Sequence, residues 1–321
     1  MTDAQTKRRL ISIVTPCYNE EGNVEELTQR ITSVMANLPY DYEHIFIDNR
    51  STDDTVSKIC RMAAKDSHIK LIVNARNFGH IRSPHHAMLQ THGDACIWIA
   101  SDLQDPPEII PELIKQWEAG FKSVMAVKPE SDENKLMFLI RRAYYRFLSR
   151  ISEVPLIPNA TGSGLYDKVI IDIMRKIDNP YPYFRGLVSE IGFPIATVPF
   201  KQPRRTRGVT KNNFYTLYDI AMLGIVSHSK VPLRLMTMVG FFMSMLSLLA
   251  AVGFLAAKLL FWNKFILGIA PLLIGIFLLA SVQMFFMGIL GEYIGMIYTQ
   301  TRKMPLVVEE RRVNFTDENN K

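Results

Sequence analysis

The chain has 321 residues, 48% hydrophobic and 21% charged, with a net charge of +6 from 37 basic and 31 acidic side chains. That composition excludes a disordered or a collagen-like chain. Leu235–Ala257 and Phe265–Leu290 contain no Asp, Glu, Lys or Arg. Each exceeds the roughly 20 residues needed to cross a hydrocarbon layer of about 30 Å, which excludes a wholly soluble protein.

Five short apolar runs, Leu10–Thr15, Ile45–Ile47, Ile69–Val73, Ala95–Ala100 and Ser123–Val127, read as buried strands. Glu20–Asn37, Asp53–Lys65, Ser83–Thr91 and Pro107–Ala119 read as the helices between them. Strands alternating with helices predict an α/β fold with a mostly parallel sheet. Ligands of such sheets bind outside the carboxyl ends of the strands. Glu130–Ser152 reads as a charged turn and an amphipathic helix carrying Arg141, Arg142, Arg146 and Arg150. Pro155–Asn159 is a loop, Lys201–Lys211 a basic loop, and Phe214–Ser229 an apolar helix suited to the interface plane. The tail after Pro305 is polar and reads as peripheral.

The expected organisation is a catalytic body over 1–213, an interface helix and linker over 214–234, a two-helix anchor over 235–298 and a tail over 299–321. Lys230 and Arg234 precede the first span, and Arg302 and Lys303 follow the second. The positive-inside rule then places both termini and the body on the cytoplasmic side of a cell (inner) membrane. The N-terminus has charge but no signal-type apolar core, so export by a cleaved signal is not expected. The basicity suits anionic lipid or phosphorylated substrates. Nucleic acid is not an expected partner, because no helix-turn-helix or zinc-finger spacing is present. Cys17, Cys60 and Cys96 are too widely spaced for a zinc site, and Cys17 and Cys96 read as buried thiols. His80, His85, His86 and His92 match no metal spacing. Gly288, Gly291 and Gly295 point to a homo-oligomer packed through the spans.

Three strand tips carry the chemistry. At the first, Asn19 suits a helix N-cap, while Tyr18 suits a base and Glu20 a sugar hydroxyl. At the second, Ser51 and Asp54 resemble a capping box, which leaves Asp48 to accept from a nucleobase or ribose. At the fourth, Asp105 reads as an N-cap ahead of Pro106, with Glu108 at the capping-box position. Asp102 and Gln104 remain, and on an extended tip they share a side. Two oxygen donors there suit Mg²⁺ or Mn²⁺ that keeps places for diphosphate and water.

TPCYNEE (15–21), FIDNRSTDDT (46–55), ARNFGH (75–80), SDLQDPPE (101–108), YYRFLSRIS (144–152), RGVTK (207–211), SKVPLRL (229–235) and the paired spans resemble glycosyltransferase family 2. Within it the resemblance is to the polyisoprenyl-phosphate enzymes, and the two-span anchor looks most like the bactoprenol glucosyltransferases. The resemblance implies a GT-A, Rossmann-like nucleotide-sugar fold. It implies that Pro16, Tyr18, Glu20, Asp48 and Ser51 hold the nucleotide. Asp102 and Gln104 would hold the metal at the catalytic centre. Lys128, Arg142, Arg146, Arg204, Arg205 and Lys211 would meet the acceptor phosphate. Three positions depart from the family pattern: Asn49 follows Asp48 where Asp is common, Ala100 replaces the first Asp of an Asp-x-Asp, and Gly162–Leu165 replaces an acidic-Phe-Arg-Leu segment.

The expected reaction moves glucose from UDP-glucose to a polyprenyl phosphate. A phosphate monoester with a second pKa of roughly 6 is already a nucleophile at neutral pH, so no dedicated base is required. Direct displacement inverts the anomeric carbon. GDP-mannose as donor and an inactive scaffold of the same fold are the alternatives. A processive synthase would need more spans and a Gln-x-x-Arg-Trp motif, and no Arg-Trp pair occurs.

Overall fold

The computed structural model describes residues 8–128, 150–152, 154, 157, 160–177, 179, 181–201, 218, 222–227, 229–260, 269–301 and 304–315. The five expected strands form as β1 (Leu10–Cys17), β2 (Asp41–Asp48), β3 (Ile69–Asn74), β4 (Ala95–Trp98) and β5 (Ser123–Val127). Three further strands follow: β6 (Ala160–Asp167), β7 (Ile195–Pro199) and β8 (Glu309–Val313). They make one eight-stranded sheet in the order β7-β5-β6-β4-β1-β2-β3-β8. Only β6 and β8 run antiparallel to their neighbours. The fold class is therefore the mostly parallel α/β sheet read from the sequence.

Helices cover both faces. On one, α1 (Val24–Met35), α2 (Thr55–Ala63) and α4 (Ile110–Glu118) pack Leu27, Ile31, Ile59, Leu113 and Trp117 on Ile11, Ile13, Phe46 and Leu71. On the other, α3 (Gly79–Leu89), α5 (Lys168–Lys176) and α6 (Phe184–Ile191) pack Met88, Ile170, Met174 and Leu187 on Val14, Ile47, Ile72 and Tyr166. Burial on both faces explains the continuous apolar runs of the central strands. Cys17 and Cys96 are buried, as read, and burial pushes the Cys96 thiol up to about 12. The α3 helix starts four residues before the expected Ser83, because Pro84 sits inside it rather than in its first turn.

The tail is not peripheral. Strand β8 pairs with the edge of β3, and Ala75 N–H donates to the Val308 carbonyl at 2.9 Å. His86 lies 2.5 Å from Glu309, Arg312 donates to Gln90, and Arg50 pairs with Glu310. Asn314 Nδ2 donates to the carbonyls of Ala63 and Ile69. Its charged composition hid the strand: Glu309, Glu310 and Arg312 each find a partner along an exposed edge.

Two long helices, α7 (Val231–Leu260) and α8 (Ile269–Thr301), have 30 and 33 residues. At 1.5 Å per residue they reach about 45 and 50 Å, beyond the hydrocarbon thickness of about 30 Å. Both are long and apolar enough to cross a membrane, over Val231–Ala250 and Gly275–Thr301. Phe241 is 66% and Phe277 69% exposed within the chain, faces that water would not tolerate in bulk. Glu292 accepts from the Tyr218 hydroxyl at 2.9 Å, and the Tyr293 hydroxyl donates to the Ser229 carbonyl at 2.8 Å.

Two buried imidazoles fix how the body responds to acid. Burial drives His44 down to about 3, with Nε2 3.0 Å from Thr15 Oγ1. Burial, with His86 adding to it, drives His85 down to about 4. Unfolded histidines take up protons near 6.5, so below that pH the unfolded state binds more protons and stability falls. From about pH 5.5 to 4.5 the two residues together remove up to about 2.7 kcal/mol per pH unit. Glu309 extends the loss. Burial opposes its ionisation, but hydrogen bonds from His86 and Arg312 outweigh that and hold it at about 2. The melting temperature of the detergent-solubilised chain should therefore drop steadily from pH 6.5 to 4. His44→Gln, which keeps a partner for Thr15, should shed about half of the slope. An unchanged slope in His44→Gln would reject the assignment.

Candidate active site

Strands β4, β1 and β2 are neighbours, so their carboxyl ends stand side by side. Among the described residues four non-glycine positions adopt positive φ, and three of them sit one at each of these ends: Asn19 at 56°, Arg50 at 65° and Leu103 at 59°. For Arg50 and Leu103 this costs about 1–2 kcal/mol each, strain that persists only where surrounding structure enforces it, while Asn19 tolerates the conformation more readily.

The enforcing contacts are present. Asn19 is not a helix cap. Its Oδ1 accepts from Thr52 N–H at 2.8 Å, and its own N–H donates to Ser51 Oγ at 2.9 Å, lacing the first tip to the second. Glu20 N–H donates to Thr55 Oγ1, and Asp54 N–H to Glu21 Oε2. Ser51 and Asp54 do not form a capping box, because Ser51 lies ahead of α2 and gives its hydroxyl to Asp48. Asp48 is fully buried and also accepts from Ser51 N–H at 2.8 Å. Burial raises its pKa, against the opposing pull of the Ser51 hydrogen bonds.

The third tip is tied in by Asn49. Its Oδ1 accepts from Asn74 Nδ2 at 2.9 Å and Phe78 N–H at 3.2 Å, while its Nδ2 donates to the Gly79 carbonyl at 3.1 Å. Asn49 is only 6% exposed. The departure from Asp at this position is thus structural: a carboxylate cannot donate to Gly79 and would face its carbonyl instead. Asn49→Asp should cost about 2–3 kcal/mol, the penalty of a buried acceptor left against an acceptor. A melting temperature equal to wild type in Asn49→Asp would dismiss this clasp.

At the fourth tip the extended geometry expected for Asp102 and Gln104 is absent, because Leu103 between them is left-handed and buried. A turn brings the two together instead. Gln104 N–H donates to Asp102 Oδ1 at 3.1 Å, an Asx turn. Both side chains are half-buried. Asp105 is not an N-cap either. The short 3₁₀ turn begins at Pro107 with Pro106 capping it, Glu108 pairs with Arg30, and Asp105 faces inward at 5% exposure. Its Oδ2 accepts from Ser163 Oγ on β6, and its Oδ1 is buried without a partner among the described residues. Burial, reinforced by Asp102, pushes its carboxyl up to about 6, while Ser163, Lys128 and Arg185 pull the other way.

Of the remaining candidates, Pro16, Tyr18 and Glu20 lie half-buried at the first tip, and Glu20 accepts from Asn23 Nδ2 at 2.7 Å. Lys128 is half-buried just beyond β5. Arg142, Arg146, Arg204, Arg205 and Lys211 lie outside the described residues. Asp105, Ser163 and Arg185 are the neighbours that the sequence did not reveal. A capping pattern disguised Asp105, Ser163 lies in the altered segment Gly162–Leu165, and Arg185 lies on an element with no motif.

The altered segment Gly162–Leu165 is the middle of β6, between β4 and β5. Among the described residues no group of three or more His, Cys, Asp or Glu converges as a metal cluster. Of the histidines, His85 packs near Phe184 and His86 meets Glu309.

Residues 12–171 match the family model described as Glycosyl transferase family 2. A putative glycosyltransferase of Bacillus subtilis, CsbB, is 32% identical over 299 residues, 93% of this chain and 91% of its own. A bactoprenol glucosyl transferase of Shigella phage SfX is 31% identical over 296 residues, 92% of this chain and 97% of its own. Among solved structures, glucosyl-3-phosphoglycerate synthase of Mycobacterium tuberculosis, with Mn²⁺, UDP and phosphoglyceric acid, aligns at a TM-score of 0.47 and 20% identity, over 68% of this chain and 76% of that one. Identity above 30% along nearly the whole chain, with the family match spanning the first, second and fourth tips, makes this chain a member of glycosyltransferase family 2.

Proposed function

We propose that the chain transfers glucose from UDP-glucose to a polyprenyl phosphate at the cytoplasmic face of the cell membrane, inverting the anomeric carbon. The observation that carries this reading is the row of three strand tips with left-handed residues, the first two laced together, on a body joined to two apolar helices. The tips offer a rigid rim for a nucleotide-sugar, and the helices give a reason to meet a lipid. The relative named bactoprenol glucosyl transferase supports both the sugar and the acceptor.

The fourth tip fits a hard divalent cation. Asp102 and Gln104 share one turn and both carry side-chain oxygens, and Asp105 adds a buried carboxylate oxygen without a partner among the described residues. When bound, Mg²⁺ or Mn²⁺ there would offset the charge that develops on the leaving diphosphate. In this reading Tyr18, Glu20 and the Asp48–Ser51 turn orient the nucleoside. Lys128 stands at the end of β5 towards the acceptor, with Arg142, Arg146, Arg204, Arg205 and Lys211 completing the cationic side. Two anions must be held together for displacement, so the residues work chiefly by positioning and screening. The body over 1–213 would rest against the membrane through the segment 214–234, and α8 packing would join copies.

The test is to incubate membranes containing the chain with undecaprenyl phosphate and a panel of labelled nucleotide-sugars. UDP-glucose should label the lipid, and the product should be β-linked by NMR. Labelling from GDP-mannose alone would replace the donor, and an α-linked product would reject inversion. A second reading, an inactive scaffold, is favoured by Ala100, which offers no donor at the fourth tip. If no donor labels the lipid and UDP with Mn²⁺ leaves the melting temperature unmoved, the scaffold reading replaces the enzyme.

A further inference from the structure

Asp105 stands out against the rest of the buried body. Its carboxylate is 5% exposed, yet among the described residues only Oδ2 has a partner, the Ser163 hydroxyl, and Oδ1 has none. Leaving an acceptor unsatisfied in the interior costs about 1–3 kcal/mol, and more for a charged group. A helix cap would account for a carboxylate at this sequence position, but the structure excludes that role. A purely structural clasp of Ser163 needs one oxygen and would be served as well by Asn. The surroundings are polarised: Asp102, Lys128 and Arg185 all lie close enough to act on Asp105 electrostatically. Left-handed Leu103, whose side chain is buried, turns the chain between Asp102 and Asp105, so that neither runs on in an extended line from β4.

The same tip lacks a donor elsewhere. Ala100, half-buried two residues before Asp102, has no side-chain oxygen to offer. A divalent cation held by Asp102 and Gln104 alone would have one carboxylate, a weak set for Mg²⁺ or Mn²⁺ against water. We propose that Asp105 supplies the second carboxylate of the cation site through Oδ1, compensating for Ala100, with Ser163 fixing its orientation through Oδ2. This rests on the proposed metal role of Asp102 and Gln104 and extends it to a residue three positions on and to the β6 hydroxyl behind it. A ligating carboxylate is commonly held by a second hydrogen bond of this kind.

The test is Mn²⁺ binding to the full chain in detergent, read from the loss of the free-Mn²⁺ electron paramagnetic resonance signal, with and without UDP. Asp105→Asn keeps an oxygen for Ser163 and removes the charge. It should weaken Mn²⁺ at least tenfold with the metal-free melting temperature near wild type, and adding Ala100→Asp to it should recover most of the affinity. Ser163→Ala removes the clasp and keeps the carboxylate, and should weaken Mn²⁺ less than threefold. Wild-type Mn²⁺ affinity in Asp105→Asn would overturn the proposal. So would equal losses in Asp105→Asn and Ser163→Ala, which would give Asp105 a structural role only. Absence of Mn²⁺ binding in the wild-type chain, even with UDP, would instead remove the metal reading of Asp102 and Gln104 on which it rests.

Discussion

A Gly164→Val chain should fail to yield a folded catalytic body. Gly164 lies in β6, where the strand runs antiparallel between β4 and β5. A Cβ built there would stand 2.2 Å from the Val124 carbonyl oxygen and 3.1 Å from Met125 Cα. These are backbone atoms of a paired strand, so no rotamer change can clear them. The sheet would have to open beside Val124, Met125 and Leu165, all of which are essentially fully buried. Overpacking against movable side chains costs about 1–3 kcal/mol. Displacing a central strand costs more, against a total stability of about 5–15 kcal/mol. Gly120→Ala is the control: Gly120 has a positive φ of 105°, which Gly164 lacks, but nothing lies within 4 Å of its Cβ position. It should cost only about 1 kcal/mol of backbone strain. Size-exclusion profiles and melting curves of the two variants separate the cases. A monodisperse Gly164→Val chain melting within a few degrees of wild type would mean that β6 is not seated between β4 and β5.

The same glycines show where sequence reasoning stopped. The five parallel strands were legible because a strand buried on both faces is continuously apolar, as in Ile45–Ile47 and Leu71–Val73. Strand β6 was not, because AlaThrGlySerGly has neither alternation nor a β-branched run, and its glycines answer to neighbours remote in sequence. Gly162 faces the Trp98 ring, with a Cβ there only 2.8 Å from it. Strand β8 was hidden by its charge, since its partners His86 and Arg50 lie more than two hundred residues earlier.

At the site, the three tips were visible because a strand end followed by polar residues is a recognisable pattern. The capping readings of Asn19, Ser51 and Asp105 failed for one shared reason. A side-chain oxygen ahead of a helix satisfies local amides only if the helix starts within reach. Here α1, α2 and the 3₁₀ turn before α4 start at Val24, Thr55 and Pro107, so Asn19 binds Thr52 on the second tip, Ser51 turns back to Asp48, and Asp105 binds Ser163 on β6. Local chemistry predicts local partners, whereas Asn19 and Asp105 find theirs on other segments of the chain.

Asp102→Ala tests that assembly most directly. The half-buried side chain makes one described hydrogen bond, from Gln104 N–H to Oδ1. Losing that bond costs about 1 kcal/mol, so the melting temperature should move by only a few degrees. Sugar transfer to polyprenyl phosphate should fall on the order of 10³-fold, the scale of removing a preorganised group that stabilises developing charge. Asp102→Asn separates shape from charge, because the amide oxygen can still accept from Gln104. If the carboxylate acts through its charge on a donor-bound cation, Asp102→Asn should lose nearly as much transfer as Asp102→Ala while matching the wild-type melting curve. If instead it only shapes the turn, Asp102→Asn should be close to fully active. More than a tenth of wild-type transfer in Asp102→Ala would show that the strained fourth tip holds no part of the reacting centre.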